Sequence, residues 1–116
     1  MAKNIIVVDD DPDDRGTMQT ILEKNKYNVT AVDDGEKAIS LIQKKKFDLV
    51  LLNIIMPKLS GFDVLKILRK EANPKLKIVF VSIMPEKEVY HDNIDGFIQK
   101  PFSPRTFLAK IKGVLK

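Results

Sequence analysis

A couplet recurs along this chain: a short apolar run that stops at polar residues, then a segment with apolar side chains at helical spacing. Leu49-Val50-Leu51-Leu52 is too brief for a lone helix and apolar at every position, the pattern of a strand covered on both faces. Asn4 to Val8 is a similar run, stopped by Asp9 and Asp10, and Pro12 to Lys24 then carries Met18, Ile21 and Leu22 at helical spacing. Tyr27 to Val32 alternates and contains β-branched residues. After the Asp33-Asp34-Gly35 turn, Gly35 to Lys44 carries the stripe Ala38, Ile39, Leu41 and Ile42. Phe47 to Asn53 and Gly61 to Glu71 form the third couplet, closed by Asn73-Pro74 because proline cannot continue a helix. Ile78 to Ser82, with Lys77 before it, is a fourth strand and Gly96 to Gln99 a fifth. Ser103-Pro104 then opens a helix with Phe107, Leu108, Ile111, Val114 and Leu115 facing inward. Only Ile83 to Asp95, with Pro85 inside, separates strands four and five, which leaves room for a helix of about two turns from Glu86 to roughly Asn93.

Strands alternating with helices predict an α/β fold, a parallel sheet with helices on both faces. At 116 residues the chain fits one domain with a real core and has no room for a second globular unit. Cysteine is absent, so neither a disulfide framework nor a thiolate metal site is available, and a reducing cytoplasm is the expected compartment. No apolar run is long enough to span a bilayer, and a signal-peptide pattern is lacking. The net charge of +4 raises the question of a nucleic-acid partner. The distribution argues against one: the lysines fall largely on polar helix faces, with no aromatic residues interleaved to stack bases.

In an open parallel sheet, ligands bind beyond the carboxyl ends of the strands, where strand order reverses. Those ends carry Asp9-Asp10, Asn53, Ser82 and Lys100-Pro101, all on one rim. Asp13 and Asp14 are explained by the dipole of the first helix, but Asp9 and Asp10 still belong to the strand end. Two carboxylates with an amide oxygen and backbone carbonyls suit a hard cation such as magnesium. Opposite them, Ser82 and Lys100 are a hydroxyl and a cation placed for a phosphoryl group.

The segments "IIVVDDDPDDR", "DLVLLNIIMPKLSGFDVL", "IVFVS" and "FIQKPFS" together resemble the response-regulator receiver domain (CheY-like), the phosphoacceptor module of two-component signalling. The resemblance covers nearly the whole chain, with each motif at the end of an expected strand. It implies a flavodoxin-like, doubly wound five-stranded parallel sheet in the order 2-1-3-4-5 with five helices, the fourth shortened here. With the length of 116 residues, the expectation is one receiver domain over residues 1–116, a stand-alone module with no effector domain. By the same resemblance Asp9, Asp10, Asn53 and the Ile55 carbonyl stand at the magnesium positions, and Ser82 and Lys100 at those that contact the phosphoryl group. Lys100 precedes a proline whose peptide bond in the family is often cis. Phe97 stands where the family has an aromatic side chain that turns inward on activation, although a core aromatic explains it as well.

Asn53 departs from the pattern, because the family has its phosphoacceptor aspartate there. A carboxylate oxygen can attack a phosphoryl donor, whereas a carboxamide has no anionic oxygen and its nitrogen lone pair is delocalised. The expectation is a receiver that is not phosphorylated at this position, is not an enzyme, and binds magnesium weakly or not at all. Its signal would pass by contact with a histidine kinase or a downstream target protein. Two alternatives stand beside it: an engineered Asp-to-Asn form of an ordinary receiver, and a basic nucleic-acid-binding module. A phosphohydrolase or flavin protein on the same architecture fits poorly. "DDDPDD" repels anions and the D-x-D followed by Gly-Thr is missing. His91 is read as a surface residue with no metal role.

Overall fold

The computed structural model describes residues 2–71, 75–89 and 93–116. In chain order the elements are β1 (Asn4–Val8), α1 (Pro12–Lys24), β2 (Asn28–Val32), α2 (Gly35–Lys44), β3 (Leu49–Leu52), α3 (Gly61–Glu71), β4 (Lys77–Ser82), β5 (Gly96–Gln99) and α4 (Pro104–Val114). One turn of 3-10 helix at Glu86–Glu88 lies between β4 and β5. All strand pairs are parallel and the order is β2-β1-β3-β4-β5.

The unbroken apolar runs follow from this layering. In the central strands successive side chains point to opposite faces, and both faces are covered. Ile6, Val8, Val50, Leu52, Ile78 and Phe80 pack towards Ala38 of α2 and Val64, Leu65 and Leu68 of α3. Ile5, Val7, Leu49, Leu51, Val79 and Val81 pack towards Met18 and Leu22 of α1 and Phe107 and Ile111 of α4. Each such side chain contributes about 1.5–3 kcal/mol of transfer free energy, set against the entropy of ordering it. β2, an edge strand, is only partly buried and carries the alternating composition that marked it in the sequence.

The helices start where their caps dictate. Asp11, Asp34 and Ser103 each accept a backbone N–H from three residues on, and α1 and α4 open on proline. Leu108 is half-buried, a narrower inward stripe than the sequence suggested.

The segment after β4 corrects a second expectation. Of the helix expected from Glu86 to Asn93, the described residues hold the single 3-10 turn Glu86–Glu88, in which no residue is buried, and residues 90–92 lie outside the described residues. From 83 to 89 only Val89 is buried, so no apolar stripe rewards an α-helix there. The described residues therefore contain four α-helices and one 3-10 turn where the resemblance implied five helices. Asn73-Pro74 and His91 lie outside the described residues.

Arg69 of α3 secures the neighbouring loops. Its guanidinium donates to the Asn93 carbonyl (2.8 Å), the Leu76 carbonyl (2.9 Å) and Asp95 Oδ2 (3.0 Å), and the same carboxylate oxygen accepts the Ile78 N–H at 2.9 Å. This clip lies at the amino ends of β4 and β5 and leaves their carboxyl ends open for a site.

Two helical glycines give a stability prediction. A Cβ at Gly16 in α1 or at Gly113 in α4 meets no atom within 4 Å. Gly16→Ala and Gly113→Ala are each expected to add about 0.5–1 kcal/mol, because alanine loses less backbone entropy in a helix. Urea midpoints check it, and a lowered midpoint for either variant contradicts it.

Candidate functional site

The parallel ladder runs on past the strand ends and aims two polar side chains at the rim. Asp9 N donates to Val32 O (3.1 Å) and Asn53 N to Val8 O (2.9 Å), so both residues keep a strand-like pose just beyond β1 and β3. The Asp9 side chain is fully buried, Asn53 and Lys100 nearly so, and Asp10 is exposed.

Two linked groups of hydrogen bonds fill the rim. Lys100 Nζ lies 2.8 Å from Asp9 Oδ2, 2.8 Å from Asp14 Oδ2 and 3.4 Å from Asn53 Oδ1. Asn53 Nδ2 donates to Asp10 Oδ1 (3.1 Å) and to the Ile55 carbonyl (3.0 Å). The amide orientation follows from these partners, since reversing it would put an oxygen against a carboxylate and a carbonyl. Asp9 Oδ1 accepts the Asp11 N–H (3.0 Å), and the Asp9 carbonyl accepts Arg15 Nη1 (3.0 Å).

Burial and pairing act against each other here. Burial disfavours the charged Lys100 ammonium, but hydrogen bonds and charge from Asp14 and Asp9 outweigh it and raise its pKa above the ordinary lysine value. For Asp9, burial is the larger effect: it raises the carboxyl above the ordinary value despite the bonds from Lys100 and the Asp11 N–H.

Ser82 is buried at the end of β4. Its Oγ accepts the Met84 N–H (3.2 Å) and its carbonyl accepts the Lys100 N–H (2.8 Å), so it joins the rim through its backbone. The Lys100–Pro101 peptide is cis. Phe97 sits opposite Phe80 across the β4–β5 pair and is packed into the core. Ile55 offers its carbonyl inward while its side chain is 55% exposed. The structure thus brings Asp9, Asp10, Asn53, the Ile55 carbonyl and Lys100 into one network, with Ser82 at its edge.

Sequence reasoning missed two parts of this network. Asp14 does more than complement the helix dipole, since its carboxylate pairs with Lys100, and Arg15 binds the Asp9 carbonyl. The spacing of both to Asp9 on the first turn of α1 was the available signal. Gly61 is a third omission. Its N–H donates to Ile54 O at 2.7 Å, and a Cβ there would stand 2.5 Å from the Asn53 carbonyl oxygen and 2.8 Å from Ile54 Cα. Gly61→Ala is expected to cost about 1–3 kcal/mol, because backbone atoms cannot yield as a side-chain tip can. Chemical denaturation checks the loss, and an unchanged midpoint rejects it.

A family model for the response regulator receiver domain matches residues 5–112. The chain belongs to this family. Among curated relatives, this receiver domain is 34% identical over 124 residues to the alkaline phosphatase synthesis transcriptional regulatory protein PhoP of Bacillus subtilis, with all of the chain and 50% of that protein covered. It is 34% identical over 119 residues to the response regulator SaeR of Staphylococcus aureus, covering 97% of the chain and 50% of that protein. The chain therefore spans about half the length of these relatives. Among solved structures, a CheY-like receiver domain protein from Methanospirillum hungatei superposes with a TM-score of 0.89 at 31% identity, covering 99% of this chain and 94% of the other. The response regulator TrrA of Thermotoga maritima, solved in complex with Mg(2+)-BeF, gives 0.88 at 29% identity, covering 97% and 99%. The flavodoxin-like order 2-1-3-4-5 is thus both observed and shared. No helix among the described residues is long and apolar enough to cross a membrane.

Whether this rim suits magnesium is decided by its donors. A hard cation takes oxygen ligands, and here Asp10 Oδ1 and the Ile55 carbonyl each accept a hydrogen bond from Asn53 Nδ2. In the arrangement observed, the carboxamide N–H₂ faces two of the oxygens that a cation would use.

Proposed function

We propose that this receiver domain relays its signal by protein–protein contact without aspartyl phosphorylation at position 53, and that it is not an enzyme. The observation that carries this reading is the Asn53 carboxamide, buried at the end of β3 between Asp10, the Ile55 carbonyl and Lys100. It stands where the family resemblance puts the nucleophile, and it has no anionic oxygen with which to attack phosphorus. The partners proposed are a histidine kinase or a downstream target protein, and the lysine-rich helix faces are read as solvated surface rather than a nucleic-acid footprint.

The direct test is incubation with acetyl phosphate and magnesium followed by intact mass. No phosphoryl gain is expected. A gain that maps to Asp10 or another rim residue would overturn the reading.

Magnesium affinity gives a separate prediction. Binding requires Asn53 to give up two hydrogen bonds and offers one fewer negative charge than an aspartate would, so the dissociation constant is expected to be millimolar or weaker. A magnesium titration followed by NMR at physiological salt measures it, and submillimolar binding would count against the argument.

A further inference from the structure

The three N–H groups of the Lys100 ammonium meet unequal partners. The two short contacts, at 2.8 Å each, go to the carboxylates of Asp9 and Asp14, and the long one, at 3.4 Å, goes to the neutral Asn53 carboxamide. A buried ammonium favours anions over a neutral oxygen, because its Coulomb attraction must offset its desolvation. Asp14 can reach Lys100 because the Asp11 cap, which accepts the Asp14 N–H at 3.0 Å, starts α1 close above Asp9. Asp14 keeps 41% of its side chain exposed, so it serves as a lid on the pair rather than a second buried acid.

We propose that Asp14 is the charge-compensating partner of Lys100 in this chain: it supplies the anion that the neutral carboxamide of Asn53 does not, and holds the ammonium on the α1 side of the rim. It is a positioning residue whose value depends on the charge at position 53. With a carboxylate at 53, Lys100 gains an anion from β3, Asp14 becomes surplus, and its charge adds repulsion to a rim that already holds Asp9 and Asp10. The pairing of Asp14 with Lys100 does not depend on whether position 53 can be phosphorylated.

A double-mutant cycle decides it. Wild type, D14N, N53D and D14N/N53D are unfolded with urea at neutral pH with a chelator present. D14N is expected to lower the midpoint in the wild-type background and to raise it, or lower it less, in the N53D background. Loss of a favourable carboxylate at the α1 amino end is common to both backgrounds and cancels in the cycle. An equal or larger loss in the N53D background would overturn the proposal. A second measurement needs no aspartate at position 53. The Lys100 ammonium should give a slowly exchanging ¹H–¹⁵N signal in the wild type that D14N removes and D13N leaves, and persistence of the signal in D14N would likewise overturn it. Failure of N53D to accept a phosphoryl group would count against the reading of position 53 and leave both measurements intact.

Discussion

Lys100→Met is expected to destabilise the domain by about 3–5 kcal/mol, the usual cost of stripping one partner from a buried ion pair. The Asp9 side chain is fully buried, and Lys100 Nζ at 2.8 Å is its cationic partner. The methionine fills similar volume, so the loss comes from the stranded charge rather than from a cavity. After the substitution, the Asp11 N–H still reaches Oδ1, which is too little to compensate a buried anion. Urea denaturation of the wild type and the variant measures the difference, and a loss below about 1 kcal/mol would show that solvent reaches Asp9 and that the pair is a surface-type contact. The double variant Asp9→Asn/Lys100→Met should recover most of the loss, because it removes the charge together with its partner.

Asn53→Asp is expected to turn a chain that gains no phosphoryl group from acetyl phosphate and magnesium into one that gains a single acid-labile group at this position. The substitution replaces a carboxamide by an anionic oxygen at the same place. It also withdraws the two donors now held by Asp10 Oδ1 and the Ile55 carbonyl, which frees both for the added magnesium. The new carboxylate oxygen would form a bond to phosphorus as the bond to acetate breaks, giving an acyl phosphate and free acetate. Phosphoryl transfer depends mainly on placement and charge, and Ser82 and Lys100 are already on the rim. Intact mass before and after acid or hydroxylamine treatment reads the result. An Asn53→Asp chain that stays unmodified with a competent donor would show that the rim has changed beyond its nucleophile.

Much of this was legible in the residues, for reasons that differ from element to element. β1, β3 and β4 were readable because both faces of each are buried, which forces apolar residues at consecutive positions. α1, α2 and α4 are legible from apolar side chains at helical spacing, with the Asp33-Asp34-Gly35 turn and Ser103-Pro104 marking two of the starts; the side-chain caps Asp11, Asp34 and Ser103 come from the structure. After β4 a proline and polar residues leave room for a helix, but the described residues form only the 3-10 turn Glu86–Glu88, because packing decides whether a helix has anything to bury.

At the site the division is sharper. Which residues reach the rim follows from where each strand stops, so the chain by itself determined that Asp9, Asp10, Asn53, Ser82 and Lys100 would meet there. It also determined the chemistry of position 53, since a carboxamide cannot act as a carboxylate in any environment. Which partner each group takes was decided only by the tertiary structure. Lys100 is 91 residues from Asp9, and its choice of Asp9 and Asp14 over Asn53 depends on distances of a few tenths of an ångström and on burial. Coulomb energies in a poorly solvated pocket change steeply with both, and neither quantity is a property of residue order.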